Sequence, residues 1–99
     1  AENSVVSWLR RSREGEVIVF LVNATPVIRY GYRIPAPGEG FYRELINTDA
    51  ETYGGGNVGN LGGIKSIAEP GPASGHALYV NLPPLATLAF KKEKIALQE

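Results

Sequence analysis

Glu16 to Asn23 reads EVIVFLVN, with six consecutive apolar residues from Val17 to Val22. A short unbroken apolar run of this kind predicts a strand covered on both faces, placed in the middle of a sheet. Before it, Ser12 to Gly15 (SREG) is charged and ends in glycine, which fits a hairpin turn. Before that, Ser4 to Arg11 (SVVSWLRR) is rich in β-branched and aromatic residues and reads as a strand. The two strands should therefore pair antiparallel. In the first, Val6, Trp8 and Arg10 share one face, while Val5, Ser7, Leu9 and Arg11 share the other. Both faces carry apolar groups, so alternation does not say which is inside. Trp8, within a strand, reads as a core ring.

Downstream, Ala24 to Pro26 breaks the run, because proline lacks an amide proton and restricts its predecessor. Val27 to Ile34 (VIRYGYRI) alternates, with Ile28, Tyr30, Tyr32 and Ile34 on one side and Arg29, Gly31 and Arg33 on the other. It predicts a half-buried strand with a basic outer face. Pro35 to Gly40 (PAPGEG) is a turn by composition, and Phe41 to Ile46 (FYRELI) a further strand. Ile64 to Ala68, His76 to Leu82 and Leu85 to Phe90 complete the set, separated by proline-rich breaks. No helix is indicated before the charged tail, residues 91–99. The pattern predicts an all-β fold over residues 1–90: an antiparallel β-sandwich of Greek-key type with six to eight short strands.

Between two of these strands lies Asn47 to Gly63, NTDAETYGGGNVGNLGG. Six of the ten residues from Gly54 to Gly63 are glycine, half of the glycine in the chain, so neither helix nor central strand is expected there. Long loops in compact domains are usually functional or disordered. The interspersed Tyr53, Asn57 and Asn60 argue for an ordered, tightly turning loop.

Composition narrows the function classes. The 99 residues suffice for one domain with a modest core. Ten basic and ten acidic residues balance, which argues against a strong grip on nucleic acid or an anionic membrane. There is no cysteine and one histidine, so neither a disulfide framework nor a structural metal site is expected. No apolar run approaches the roughly 20 residues that span a bilayer. The lack of methionine points to a fragment or processed product.

The catalytic and cofactor motifs that can be traced do not stand up. Gly54, Gly56 and Gly59 match GxGxxG in spacing, yet an acidic segment precedes them and a β-like run follows, where the mechanism needs a buried strand and a helix. Gly59 to Ser66 misses a phosphate loop at Ile64. Asn23-Ala24-Thr25 is a glycosylation triplet followed by proline, and reads better as a turn after a strand. His76, Ser66, Ser74 and Asp49 are scattered, and Asp49 and Glu51 read as solvated loop charges. No catalytic, metal or cofactor site is expected. Aromatic platforms for a sugar ring are the more interesting possibility: Trp8, Tyr30, Tyr32, Tyr42, Tyr53 and Tyr79 are the candidates. Tyr53 at the loop edge could stack on a pyranose or pin the loop. Asn57 and Asn60 could bond sugar hydroxyls or hold turns. Arg10, Arg11, Arg29 and Arg33 could form a basic stripe for docking.

The residues ENSVVSWLRRS, FLVNATPV, YGYRIPAPG, LINTDAETYGGGNVGN and LPPLATLAF, in that order, resemble the C-terminal all-β domain of bacterial 1,4-α-glucan branching enzymes, in the α-amylase superfamily (glycoside hydrolase family 13). The resemblance runs from about Asn3 to Phe90. It implies a cytoplasmic parent enzyme that forms α-1,6 branches in glycogen by double displacement on a (β/α)8 barrel. The residues of that chemistry precede this domain, and none carries over to a position here. The chain itself is then a non-catalytic accessory domain that packs against the barrel, with α-glucan contact through Tyr53, Asn57 and Asn60 as a further expectation. The alternative is an autonomous carbohydrate-binding module.

Overall fold

The computed structural model describes residues 5–48, 60, 62–69 and 75–93. Among them, eight strands form two antiparallel sheets: β1 (Val5–Arg11), β2 (Val17–Asn23), β3 (Arg29–Ala36), β4 (Phe41–Asn47), β5 (Gly63–Lys65), β6 (Ile67–Ala68), β7 (His76–Leu82) and β8 (Ala86–Lys92). The five-stranded sheet runs β1-β2-β8-β4-β5 and the three-stranded sheet β3-β7-β6. This is the expected all-β sandwich.

The β1–β2 hairpin forms as its sequence predicts. The Ser12 amide donates to the Glu16 carbonyl at 2.9 Å, and Gly15 turns the chain at φ +84°. Strand β2 lies inside the sheet between β1 and β8. Its two faces are not equal. Val17, Val19, Leu21 and Asn23 are buried, whereas Ile18, Phe20 and Val22 are half-buried. The core is assembled from Val19, Leu21, Ile34, Tyr42, Leu78, Val80, Leu82, Leu88 and Phe90, contributed by both inner faces, as sandwich packing requires.

Trp8 is not a core ring. It pairs with Phe20 across β1 and β2 on the outer face, and is 43% exposed. The register explains this: Leu9, not Trp8, pairs with the buried Val19. The alternation expected from Val27 to Ile34 is also interrupted. The β3–β7 pairing slips between Arg29 and Tyr32, and Gly31 there takes φ +64°. A bulge adds one residue and reverses which face the chain presents. Tyr32 and Ile34 therefore pack inward while Tyr30 is 71% exposed. The four arginines read as a stripe are divided: Arg10 and Arg11 lie on β1, Arg29 and Arg33 on β3 of the other sheet.

Among the described strands the chain changes sheet four times, between β2 and β3, β3 and β4, β5 and β6, and β7 and β8. Backbone groups leaving a ladder need other partners when buried. Asn23, fully buried, meets this need at two crossings at once. Its side-chain Nδ2 donates to the Val27 carbonyl at 3.0 Å and to the Pro83 carbonyl at 2.8 Å. Its side-chain Oδ1 accepts from the Thr25 amide and hydroxyl at 3.1 and 2.7 Å. The glycosylation triplet is thus a structural turn. At the β3–β4 crossing the buried Tyr42 hydroxyl donates to the Gly38 carbonyl at 2.7 Å and accepts from the Gly38 amide at 3.1 Å. This back-bond of four residues is akin to the tyrosine corner of other sandwiches. Burial pushes the Tyr42 phenol above its usual pKa. At the β5–β6 crossing Ser66 clasps Gly40: its hydroxyl accepts from the Gly40 amide, and its own amide donates to the Gly40 carbonyl, each at 2.9 Å.

Replacing Asn23 by alanine strands two carbonyls and the Thr25 amide, and should lower stability by about 2–4 kcal/mol. Urea unfolding monitored by tryptophan fluorescence checks this; an unchanged midpoint would refute the role given to Asn23.

Candidate functional site

Of the three site residues named from the sequence, Tyr53 and Asn57 lie outside the described residues. Asn60 stands at the root of the glycine-rich loop and is buried, with 8% exposure. Its side-chain oxygen accepts from the Asn81 amide at 2.7 Å, and its side-chain nitrogen donates to the Asn81 carbonyl at 3.2 Å. One side-chain amide therefore takes the place of a strand beside β7. The same nitrogen also lies 3.2 Å from the Glu44 carboxylate on β4, and Asn47 approaches that carboxylate at 3.4 Å. Asn60 thus ties the loop to both sheets.

The two ends of the loop are held as well. Thr48 donates its amide to the Thr87 carbonyl at 3.1 Å, and its hydroxyl accepts from the Thr87 amide at 3.0 Å. On return, Gly62 turns at φ +89° and its carbonyl accepts from the Glu44 amide at 2.9 Å. Gly63 then enters β5 beneath the Phe41 ring, with no room for a Cβ. Covering a strand glycine with a cross-strand aromatic is a known sheet device.

A second cluster lies on the outer face of the three-stranded sheet. Arg33 on β3 pairs with Tyr79 on β7. The Arg33 guanidinium donates to one Glu69 oxygen, its Nε at 2.9 Å. The Tyr79 hydroxyl donates to the other oxygen at 2.6 Å. The hydrogen bonds from Arg33 and then Tyr79 hold the Glu69 carboxyl down at about 2, and Glu69 in turn raises the pKa of both partners. Sequence reasoning named Arg33 and Tyr79 but not Glu69, whose acceptor role depends on a partner 36 residues away. A third feature is a groove of about 460 Å³ beside the hairpin turn, crossed by the ion pairs Lys91–Glu16 at 3.1 Å and Arg43–Glu93 at 3.0 Å.

Among the described residues, no three His, Cys, Asp or Glu side chains converge as a metal site. Nor, among these residues, is any helix long and apolar enough to cross a membrane. Ser66 is buried in its clasp with Gly40. Ser74, Asp49 and Glu51 lie outside the described residues.

Residues 1–93 match the family of the alpha amylase C-terminal all-beta domain. The chain belongs to that family. Its similarity to curated proteins is specific within the family. It is 46% identical over 94 residues to the 1,4-alpha-glucan branching enzyme GlgB of Paramagnetospirillum magneticum, covering 94% of this chain and 13% of that protein. It is 49% identical over 92 residues to GlgB of Pseudomonas syringae pv. tomato, covering 93% of this chain and 12% of that protein. It is 50% identical over 94 residues to GlgB of Cupriavidus pinatubonensis, with 91% and 12% covered. The chain spans about an eighth of the length of the relatives it matches.

For this member of the α-amylase C-terminal family, the Glu69 cluster gives a pH signature. Its carboxyl is held at about 2 against an ordinary 4.5. The folded state thus favours the ionised form. The stabilisation is complete above the unfolded value and is lost as pH falls toward the folded one. Thermal melts of wild type and Glu69→Gln should differ most above about pH 5 and converge by about pH 2. Because the pair is exposed, salt should shrink the gap. A pH-independent difference would contradict the assignment.

Proposed function

We propose that this chain is the non-catalytic C-terminal accessory domain of a 1,4-α-glucan branching enzyme that forms α-1,6 branches in glycogen in the cytoplasm. Its work is to pack against the catalytic barrel of the same polypeptide and support it. The observation that carries this reading is how the buried polar side chains are used. Asn23 and Ser66 are bonded to backbone at sheet crossings. Asn60 and Asn47 are bonded at the loop root. All four serve the fold, which is how a scaffold uses its interior. Family membership and the share of each branching enzyme that the chain spans support the same reading.

Glucan contact is the second reading, either as assistance to the parent enzyme or as an autonomous module. It is favoured by the exposure of Tyr30 at 71% and Tyr79 at 39%, since pyranose C–H faces pack on exposed rings. It includes the loop residues Tyr53, Asn57 and Asn60. Because the Asn60 side chain is already bonded to Asn81 and Glu44, its part there is to shape the loop. No cofactor or metal is needed in either case.

Deleting this domain from a full-length branching enzyme should lower its melting temperature and its branching rate together. The 99-residue chain alone should show no branching in an iodine-stain assay on amylose. Any turnover by it would refute the accessory reading. Titration with millimolar maltoheptaose, followed by amide NMR, decides the second reading: shifts clustered at Tyr53 and Asn57 favour it, and an unperturbed spectrum removes it.

A further inference from the structure

We infer that the outer face of the five-stranded sheet, centred on Trp8 and Phe20, is the surface through which this domain seats on the rest of its branching-enzyme polypeptide. The inference rests on the accessory-domain reading and adds the face to it. In an antiparallel sandwich, outward residues along each strand are normally polar. Here the register lines up two mainly apolar rows, one across three strands and one across four. Val6, Val22 and Thr87 form one row; Trp8, Phe20, Ala89 and Ile46 form the next. Val6 is 57% exposed and Ile46 40%. The Trp8 and Phe20 rings lie nearly parallel, 5.2 Å between centroids, and make a flat centre. The following row is Arg10, Ile18, Lys91 and Arg43, which supplies a charged border. An aromatic and aliphatic centre with a charged rim has the anatomy of a protein interface.

The opposite outer face differs. Its middle is the Arg33–Glu69–Tyr79 cluster, whose polar groups already satisfy one another in water, and its exposed Tyr30 and Ile67 lie apart on the two edge strands rather than together at a centre. The contrast selects the five-stranded sheet as the docking side. The occupant follows from length: the branching enzymes similar to this chain carry only 12–13% of their sequence in the matching part. A partner on the same polypeptide is tethered, so a patch of this modest size can hold it at high effective concentration.

Hydroxyl-radical footprinting of a full-length branching enzyme carrying this domain tests the assignment without mutation. Trp8 should be oxidised about ten-fold more slowly than Tyr30 on the other sheet, as a ring moved into an interface core would be. Trp8 reacting as fast as Tyr30 would overturn it. Protection that vanishes when light scattering shows a dimer diluting to monomer assigns the face to a second copy, and also overturns it. As a second arm, Val6→Lys with Ile46→Lys, at exposed positions that the domain core does not need, should release an early, separate melting transition in the full-length enzyme. Tyr30→Lys should leave the melt unchanged. A single unshifted transition for the double variant counts against the face. If deleting the domain destabilises the enzyme while Trp8 stays reactive, the accessory reading stands and this face is wrong. If deletion changes nothing, the accessory reading itself fails.

Discussion

A chain that moves between two stacked sheets must take its peptide groups out of one ladder before it reaches the next. This constraint governs the whole domain, because among the described strands the chain makes that move four times. Water cannot satisfy those groups where the crossings are buried, and an unmade bond there costs about 1–3 kcal/mol. The solution is the same at each point: a polar side chain bonded to backbone. Asn23 holds the β2–β3 turn and reaches across to Pro83 before β8. Tyr42 closes the β3–β4 turn, and Ser66 holds the step from β5 to β6 against Gly40. Asn60 extends the device to the loop, acting as a peptide group beside β7. With the crossings tied, β8 can lie between β2 and β4 and complete the core with Leu88 and Phe90.

These ties explain what the sequence could and could not reveal. Strand β2 was legible because its apolar run is local and its turn ends at Gly15. The sandwich was legible because strands and breakers alternate along the chain. The side on which Trp8 lies was not, since β1 carries apolar residues on both faces and only pairing with Val19 decides it. The bulge at Gly31 was not legible either: nothing local distinguishes a glycine that continues a strand from one that adds a residue. Asn60 was visible as an unusual side chain in a glycine run. Its use was hidden, because its partners Glu44 and Asn81 are 16 and 21 residues away.

The same physics gives the domain two unlike exteriors. On the three-stranded sheet, Arg33 and Tyr79 at the centre are joined through Glu69, with the exposed Tyr30 and Ile67 apart on the edge strands. On the five-stranded sheet, the outward Val6, Trp8, Phe20 and Val22 of β1 and β2 are apolar although water reaches them. The difference does not come from the core, which is shared by both sheets and is indifferent to what lies outside. It reflects separate demands on each exterior, and the apolar one sits on the larger sheet, which offers the wider area for an extended contact.

Chemistry on a glycosidic bond asks for two carboxyl groups in opposite states, one ionised and one protonated near neutral pH. A protonated acid requires desolvation or a neighbouring negative charge to lift its pKa. The Glu69 carboxylate is placed in the reverse setting. Glu69 accepts from Arg33 and Tyr79, which hold it ionised down to about 2. Glu16 and Glu93 face Lys91 and Arg43 across the groove beside the hairpin. Glu44 accepts from Asn60 and Asn47 at the loop root. All four serve as acceptors that fix neighbours. On the accessory-domain reading proposed above, these four carboxylates contribute geometry by holding their neighbours in place.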